Sequence, residues 1–270
     1  MQGRRTSRGN SHGLAGWRRS SPRARSASAA GLSVSGLSFR KTPGPLLTAV
    51  GLCGGAGVSV LAHLIAATAA AISEAPVLLA DTGGPTAGAA LYAGAAAPLT
   101  LADISERVAC QELVPPRFWA DATHGLRLLA GLPQFTVHGT DESVRRVLRD
   151  ARAAHGLTVL DAGTLARPAE QAALAAASHI AWVLPASASG LARGGRVLDR
   201  ITSLSRPEIL VARAEPGAKP PVGGLADLAD SRGAPLVLMP YLGDVATRPL
   251  RDLQLDTAVA LQALGGLLSR

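Results

Sequence analysis

Short runs of consecutive apolar residues alternate with longer stretches of helical periodicity along residues 46–270. Several runs are apolar at every position, which is typical of parallel strands covered by helices on both faces. Seven strands are predicted, and they are Leu46–Leu52, Pro76–Ala80, Leu126–Leu129, Thr158–Leu160, His179–Leu184, Glu208–Ala212 and Pro235–Met239. Because strands that alternate with helices indicate βαβ units, we expect an α/β fold with a mostly parallel central sheet flanked by helices.

Three stretches carry the clearest helical signals. Asp141–Ala154 has its apolar positions on one face, and Gly156 follows as a stop signal. Ser59–Ile72 is rich in alanine, and Leu253–Leu268 closes the chain as a single predicted helix. There is no internal repeat and no change of composition after Pro45, so we expect one domain over residues 46–270.

Residues 1–45 differ from the rest in charge. They contain nine Arg and Lys and no acid, so a formal net charge of +8 for the whole chain leaves −1 for residues 46–270. A Ser-, Gly- and Arg-rich segment with few large apolar residues predicts a disordered basic tail. Such a tail suits loose, salt-dependent contact with DNA or an anionic membrane. An organellar transit peptide and a non-functional extension are the alternatives.

A glycine-rich segment, Cys53–Ser59, lies between the first predicted strand and the alanine-rich helix. Such a turn directs successive backbone N–H groups and the helix dipole at one spot, which suits a phosphate. The predicted cofactor-binding residues of this loop are Gly54, Gly55, Ala56, Gly57, Val58 and Ser59. A working phosphate loop also needs a lysine for the outer phosphates and Ser or Thr for Mg²⁺. Ser59 is in place, but the lysine position is Val58.

The motifs and their order resemble the ParA/MinD family of P-loop ATPases, whose deviant Walker A motif is Lys-Gly-Gly-x-Gly-Lys-Thr/Ser. The resemblance extends over most of Leu46–Arg270. It includes the second strand with its acidic residue, the Walker B strand ending in Asp, the strand after it, and the late strand with its proline loop. The matching segments are Val77–Asp81, Leu157–Asp161, His179–Pro185 and Leu236–Pro240, the last followed by Asp244-Val245-Ala246. The Cys-Gly-Gly-Ala-Gly form of the loop is most similar to the degenerate branch with septum-site-determining proteins and CpaE/TadZ-type pilus-assembly proteins.

The resemblance implies a P-loop NTPase-like three-layer fold with ATP and Mg²⁺ as cofactors. It implies catalytic roles for Asp81 and Asp161, a metal site at Ser59 and Asp161, and contact of Pro240 with the nucleotide. It also implies a nucleotide-dependent homodimer that serves a septum, pilus or chromosome, with protein partners from a division or pilus machinery. We therefore expect a cytoplasmic protein, peripheral at the membrane or nucleoid, and its two cysteines fit reduced cytosolic thiols.

Four positions depart from the family pattern. The two motif lysines are Cys53 and Val58, the second acid of the Asp-x-Asp motif is Gly83, and the adenine-reading Asn falls near Ala212. Phosphoryl transfer depends on cancelling negative charge, and loss of one electrostatic contact in a dry site raises the barrier by roughly 3 kcal/mol or more. We therefore expect weak or no ATP hydrolysis, with residual nucleotide binding by the loop amides.

Three alternatives stay open at this point. The loop is a tight turn without a ligand, with Asp81 and Asp161 in turn or capping roles. In the second alternative the protein is an active ATPase, and another side chain, such as Arg213 or Lys219, supplies the positive charge of the missing lysine. The third alternative is a single membrane span at Leu46–Ile72, whose length and basic flank suit a bilayer, although its central glycines disfavour a helix.

Overall fold

The computed structural model describes residues 43–82, 88–96, 99–114, 117–122, 125–131, 141–202, 204–245 and 248–268. The predicted tail lies outside the described residues except for residues 43–45, as do Gly83 and Ala246. Disorder in the tail and the extent of the domain therefore stay predictions.

A single sheet of eight strands runs through the described residues, in the order β3-β4-β2-β5-β1-β6-β7-β8. The strands are β1 (Leu46–Gly51), β2 (Val77–Asp81), β3 (Ala120–Asp121), β4 (Leu126–Leu129), β5 (Leu157–Asp161), β6 (His179–Pro185), β7 (Glu208–Arg213) and β8 (Leu236–Met239). All neighbours pair in parallel except β3 and β4, which are antiparallel. The mostly parallel sheet confirms the predicted fold class.

Helices cover both faces of this sheet. Within the described residues they are α1 (Val58–Ile72), α2 (Gly88–Ala93), α3 (Leu101–Ala109), α4 (Asp141–Ala154), α5 (Pro168–Ala176), α6 (Ala188–Leu198), α7 (Val222–Ser231), α8 (Leu250–Asp256) and α9 (Ala258–Leu268). Successive side chains of a strand point to opposite faces. In β1, Leu47 and Ala49 pack with α1, α2, α8 and α9, whereas Leu46 and Val50 pack with α3 to α7. Two apolar cores separated by the sheet make the three layers.

All seven predicted strands are present, each with its ends within one residue of the prediction, and Asp141–Ala154 is a helix with the predicted bounds. The short strand β3 was not predicted. Two residues, Ala120 and Asp121, offer no apolar run, and their strand geometry depends on pairing with β4.

The prediction of one terminal helix over Leu253–Leu268 is wrong. The helical segment begins at Leu250 and is interrupted at Thr257, which separates α8 from α9. The buried Thr257 hydroxyl donates to the Leu253 carbonyl at 2.6 Å. A hydroxyl that bonds back to the preceding turn competes with the regular helical ladder and often bends the helix there.

Leu46–Ile72 is not a membrane span. Its first part is the central strand β1, and its last part is the 15-residue helix α1. The glycines between them form the connecting turn. Among the described residues no helix has the length and apolar character needed to cross a bilayer.

Candidate functional site

The carboxyl ends of β1, β2 and β5 meet at one edge of the sheet. β1 lies between β5 and β6, while β2 lies on the far side of β5. The chain thus passes over β5 as it goes from β1 through α1 to β2. In open α/β sheets, ligands bind at the carboxyl ends of strands where the strand order reverses.

The glycine loop leaves β1 at this edge and is anchored at its base. The Gly51 amide donates to the Gly163 carbonyl at 2.7 Å, and the Leu52 amide donates to the Val183 carbonyl at 2.8 Å. Gly57 has a φ of 93°, a left-handed conformation that glycine adopts without strain, and the chain enters α1 from it. Gly57 supplies no capping side chain, and the first turn of α1 contains no acid. The positive end of the helix dipole is therefore not neutralised by the helix itself.

Open space lies above the loop. A Cβ built on Gly54 or Gly55 would meet no atom within 4 Å. The loop lines a cavity of about 620 Å³, a size typical of small-molecule sites. The backbone of the loop is therefore accessible to a ligand of nucleotide size.

Val58 closes the base of this cavity. Only 8% of its surface is exposed. Its Cγ2 atom lies close to Gly51, so that a Cβ atom built on Gly51 would be only 2.8 Å from it. The side chain is thus packed against β1, where a shorter apolar residue replaces the expected lysine. The loop can therefore offer backbone amides to a phosphate, but it has no lysine side chain to add a positive charge.

Two carboxylates stand side by side at the mouth of the loop. Asp81 and Asp161 are register partners on β2 and β5, and each is 4% exposed. Asp81 accepts a hydrogen bond from the Ala89 amide at 3.3 Å. Asp161 accepts one from the Gly163 amide at 3.1 Å.

Burial raises the pKa of Asp161 above its ordinary value of 3.8. Hydrogen bonds from the Ser59 side chain and the Gly163 amide act in the opposite direction. The nearby carboxylate of Glu170 raises the pKa further, while Arg167 lowers it. Perturbed carboxyl groups in a cleft are candidates for a functional role.

Ser59 lies in the first turn of α1 with its hydroxyl bonded to Asp161. Gly88, the first residue of α2, packs closely over the Ser59 side chain. A Cβ atom built on Gly88 would lie 2.5 Å from the Ser59 Oγ. The hydroxyl and the two carboxylates are hard oxygen donors, which fit Mg²⁺. In the described part of the chain there is no cluster of three or more His, Cys, Asp or Glu side chains suited to holding a metal. Mg²⁺ would therefore need phosphate oxygens and water to complete its shell, as is usual for this ion.

Glu170 was missed by the sequence analysis and lines the same cavity. It forms a partly buried ion pair with Arg167, at 2.6 Å between Oε1 and Nη2, and both residues cap the start of α5. Pro168 at the first helical position followed by Glu170 is a sequence signal for this cap. Its closeness to Asp161 depends on the tertiary fold.

The structure separates the two cations that the sequence analysis named as alternatives. Arg213, the last residue of β7, donates from Nε to the Ala56 carbonyl at 3.1 Å and from Nη2 to the Gly55 carbonyl at 2.9 Å. It lines the cavity, whereas Lys219 is exposed and does not. The sequence signal for Arg213 is its position at the carboxyl end of a strand, on the same edge as the loop.

The structure places Pro240 outside the cavity. Pro240 is exposed, and the residues of its loop that line the cavity are Leu242, Gly243, Asp244 and Val245. The late loop thus reaches the site through residues two to five positions beyond the one that was predicted.

No protein-family model matches this chain, and no curated protein sequence was found to be similar to it. Solved structures do resemble it. A ParA family ATPase from Chlorobium tepidum has a TM-score of 0.64 at 19% identity, covering 84% of this chain and 96% of its own. MinD in the MinC:MinD cell division complex of Aquifex aeolicus has a TM-score of 0.64 at 18% identity, covering 81% and 96%.

The septum site-determining protein MinD from Pyrococcus horikoshii, solved with Mg-ADP, is similar to the same degree. Its TM-score is 0.64 at 15% identity, covering 82% of this chain and 94% of that one. Identities this low show the fold alone. The chain has the α/β fold of the ParA/MinD ATPases.

Proposed function

We propose that this protein is a ParA/MinD-like positioning or assembly factor that binds Mg-nucleotide weakly and hydrolyses it slowly or not at all. One observation carries the proposal. The glycine loop keeps an open amide cradle beside Ser59 and Asp161, while its lysine position is the buried Val58.

Residual binding is supported by groups that do not depend on the lysine. The loop amides and the dipole of α1 attract a phosphate, and Ser59 with Asp161 would hold Mg²⁺. When bound, Mg²⁺ neutralises phosphate charge and joins the nucleotide to the protein. MinD from Pyrococcus horikoshii, which has a similar fold, was solved in complex with Mg-ADP.

Weak hydrolysis is supported by the charge balance of the cavity. The described residues that line it include four acids, namely Asp81, Asp161, Glu170 and Asp244. Transfer of a phosphoryl group requires cations around the developing negative charge. Asp81 and Asp161 would orient Mg²⁺ and water but carry no positive charge. Among the described lining residues Arg213 is the one Lys or Arg, where the family motif has two lysines.

The assembly role is supported by the likeness to MinD and ParA proteins. MinD from Aquifex aeolicus was solved in complex with MinC. We extend to this chain a nucleotide-linked homodimer, partners from a septum or pilus machinery of the degenerate branch, and a cytoplasmic location at the periphery of membrane or nucleoid. The basic residues 1–45 would tether it to DNA or anionic lipid, and salt-sensitive retention on DNA or on anionic vesicles tests that tether.

Calorimetric titration of the full chain with a non-hydrolysable ATP analogue and Mg²⁺ tests the binding step. We expect measurable affinity that Ser59→Ala and Asp161→Ala each weaken by about tenfold or more, since each removes a contact to a charged ligand. Ser189→Ala is the matched control, because Ser189 is the second residue of α6 as Ser59 is of α1, yet it is exposed outside the cavity.

Absence of binding at millimolar ligand would overturn the nucleotide role and leave a protein scaffold. Mg²⁺-dependent turnover at family rates that disappears in Asp161→Ala would show an active ATPase instead. Light scattering with and without the analogue then reports whether the ligand drives dimer formation.

A further inference from the structure

Arg213 is held against the glycine loop by its own hydrogen bonds. Nε and Nη2 donate to the consecutive carbonyls of Ala56 and Gly55. Its stem lies so close to Gly57 that a Cβ on that glycine would be 2.9 Å from Cδ and Nε. A side chain fixed at this many points has lost most of its rotamer freedom before any ligand arrives, so binding to it costs little further entropy.

The charge setting makes this side chain unusual in the cavity. Among the described residues that line it, Arg213 is the only Lys or Arg. Arg167, which lies near Asp161, is engaged with Glu170 in a partly buried ion pair. A phosphate that enters the cavity therefore meets one positively charged side chain, and that side chain touches the loop itself.

The guanidinium retains a free donor. Within the described part of the chain, Nη1 of Arg213 makes no hydrogen bond, while Nε and Nη2 are occupied. A guanidinium is permanently charged and presents donors in a planar fork that suits phosphate oxygens. Arg213 can thus keep its two bonds to the loop and offer a charged donor to a ligand.

We propose that Arg213 supplies the phosphate-binding cation that Val58 does not. This inference rests on the proposed nucleotide binding and assigns a further residue to it. Val58 directly follows Gly57, which the arginine contacts, so the replacement charge comes from β7 to the same turn of the loop. One side chain then both supports the loop backbone and attracts the phosphate.

The test measures binding of two probes to the full chain, each with Mg²⁺: a non-hydrolysable ATP analogue and inorganic tripolyphosphate, which has no base. Arg213→Met should weaken both by about tenfold or more, the usual effect of losing a charge-assisted hydrogen bond. Arg206→Met is the matched control. Arg206 is also half-buried and also donates to two consecutive carbonyls, those of Leu174 and Ala175, but it does not line the cavity.

Arg213→Lys separates charge from loop support. Lysine loses the planar fork that reaches both carbonyls but keeps the positive charge. Because of that charge, the Arg213→Lys variant should retain most of the affinity for tripolyphosphate. If Arg213 acted only by donating to the carbonyls of Gly55 and Ala56, the Arg213→Lys variant would bind tripolyphosphate as poorly as the Arg213→Met variant. That outcome overturns the proposal, and thermal melting of both variants verifies that each is folded.

Two further results would contradict it. Equal affinity of wild type and Arg213→Met, with Ser59→Ala still weakened, would show that the nucleotide binds without this cation. A loss of ATP-analogue affinity without any loss for tripolyphosphate would place Arg213 against the nucleoside. Absence of binding by the wild type would instead be the failure of the proposed function itself.

Discussion

At the scale of one residue, burial of the Asp161 carboxyl is expected to lower the stability of the fold. Its carboxyl is almost fully buried at the end of β5, beside Asp81 and near Glu170. Burial is the main cause that raises its pKa. A buried charge destabilises the fold, so Asp161 is a candidate for a functional role rather than a stabilising one.

Asp161→Asn should therefore raise the melting temperature at pH 7 by a few degrees. A carboxyl with a raised pKa in the folded state is at its most favourable below the unfolded value of about 3.8, and it loses stability as pH rises through the folded pKa. Asparagine has no such dependence. The difference in melting temperature between variant and wild type should grow from about pH 4 upward and then level off.

The control for this measurement is Asp199→Asn, an exposed position at the end of α6. It should show no comparable pH-dependent gain. A melting temperature for Asp161→Asn below that of wild type across the whole range would contradict the expectation. It would mean that the hydrogen bonds of the carboxylate outweigh its burial.

At the scale of elements, a buried polar network ties β6, β7 and α7 together. Glu208 accepts hydrogen bonds from Trp182 Nε1 at 2.8 Å and from Arg232 at 3.0 and 3.1 Å. The Glu208 and Arg232 side chains are only 3% and 8% exposed. The Arg232 guanidinium also donates to the Ile201 carbonyl at 2.8 Å, so it joins α7 to the turn after α6.

Arg232→Ala should lower the free energy of unfolding by about 3–5 kcal/mol, because it leaves the Glu208 carboxylate buried without its cation. Arg248→Ala is the comparison, since its ion pair with Asp256 is 32% and 48% exposed and should contribute less than about 1 kcal/mol. Urea denaturation of both variants measures the contrast. Equal losses would show that the buried pair has no special weight in this fold.

At the scale of the whole molecule, the three buried histidines of the described residues should make stability depend on pH. Burial is the main cause that lowers the pKa of His63, His155 and His179 from 6.5, and nearby arginines lower the last two further. The unfolded chain then takes up protons at a pH where the folded chain does not. Stability is fully present above about pH 6.5 and is lost as pH falls through the lowered values.

In the Asp161→Asn variant, which lacks the opposing effect of the Asp161 carboxyl, the urea midpoint should therefore be lower at pH 5.5 than at pH 7.5. His63→Leu should flatten part of that slope, since His63 lies in α1 with its Nδ1 buried and unpaired among the described residues. A midpoint that stays constant or rises toward pH 5.5 would contradict this expectation.

Element type was largely determined by the sequence. Uninterrupted apolar runs such as Pro76–Ala80 predicted parallel strands, and the one-sided apolar pattern of Asp141–Ala154 predicted a helix with its observed ends. These signals are local. A strand buried on both faces is apolar at successive positions, and a helix buried on one face has apolar residues at helical spacing. The break at Thr257 was not predictable in this way, since the competing hydroxyl bond differs little in sequence from an ordinary helical position.

For the site, the sequence by itself determined the glycine loop, Ser59, the two strand-end aspartates and the loss of the lysine. Each follows directly from residue type and from position beside a predicted strand. Only the tertiary structure decided that Arg213 reaches Gly55 and Ala56, that Glu170 approaches Asp161, and that Pro240 stays outside the cavity. Arg213 and the glycine loop are more than a hundred positions apart. They meet because only β6 separates β1 from β7 in the sheet, and strand order depends on how whole layers pack.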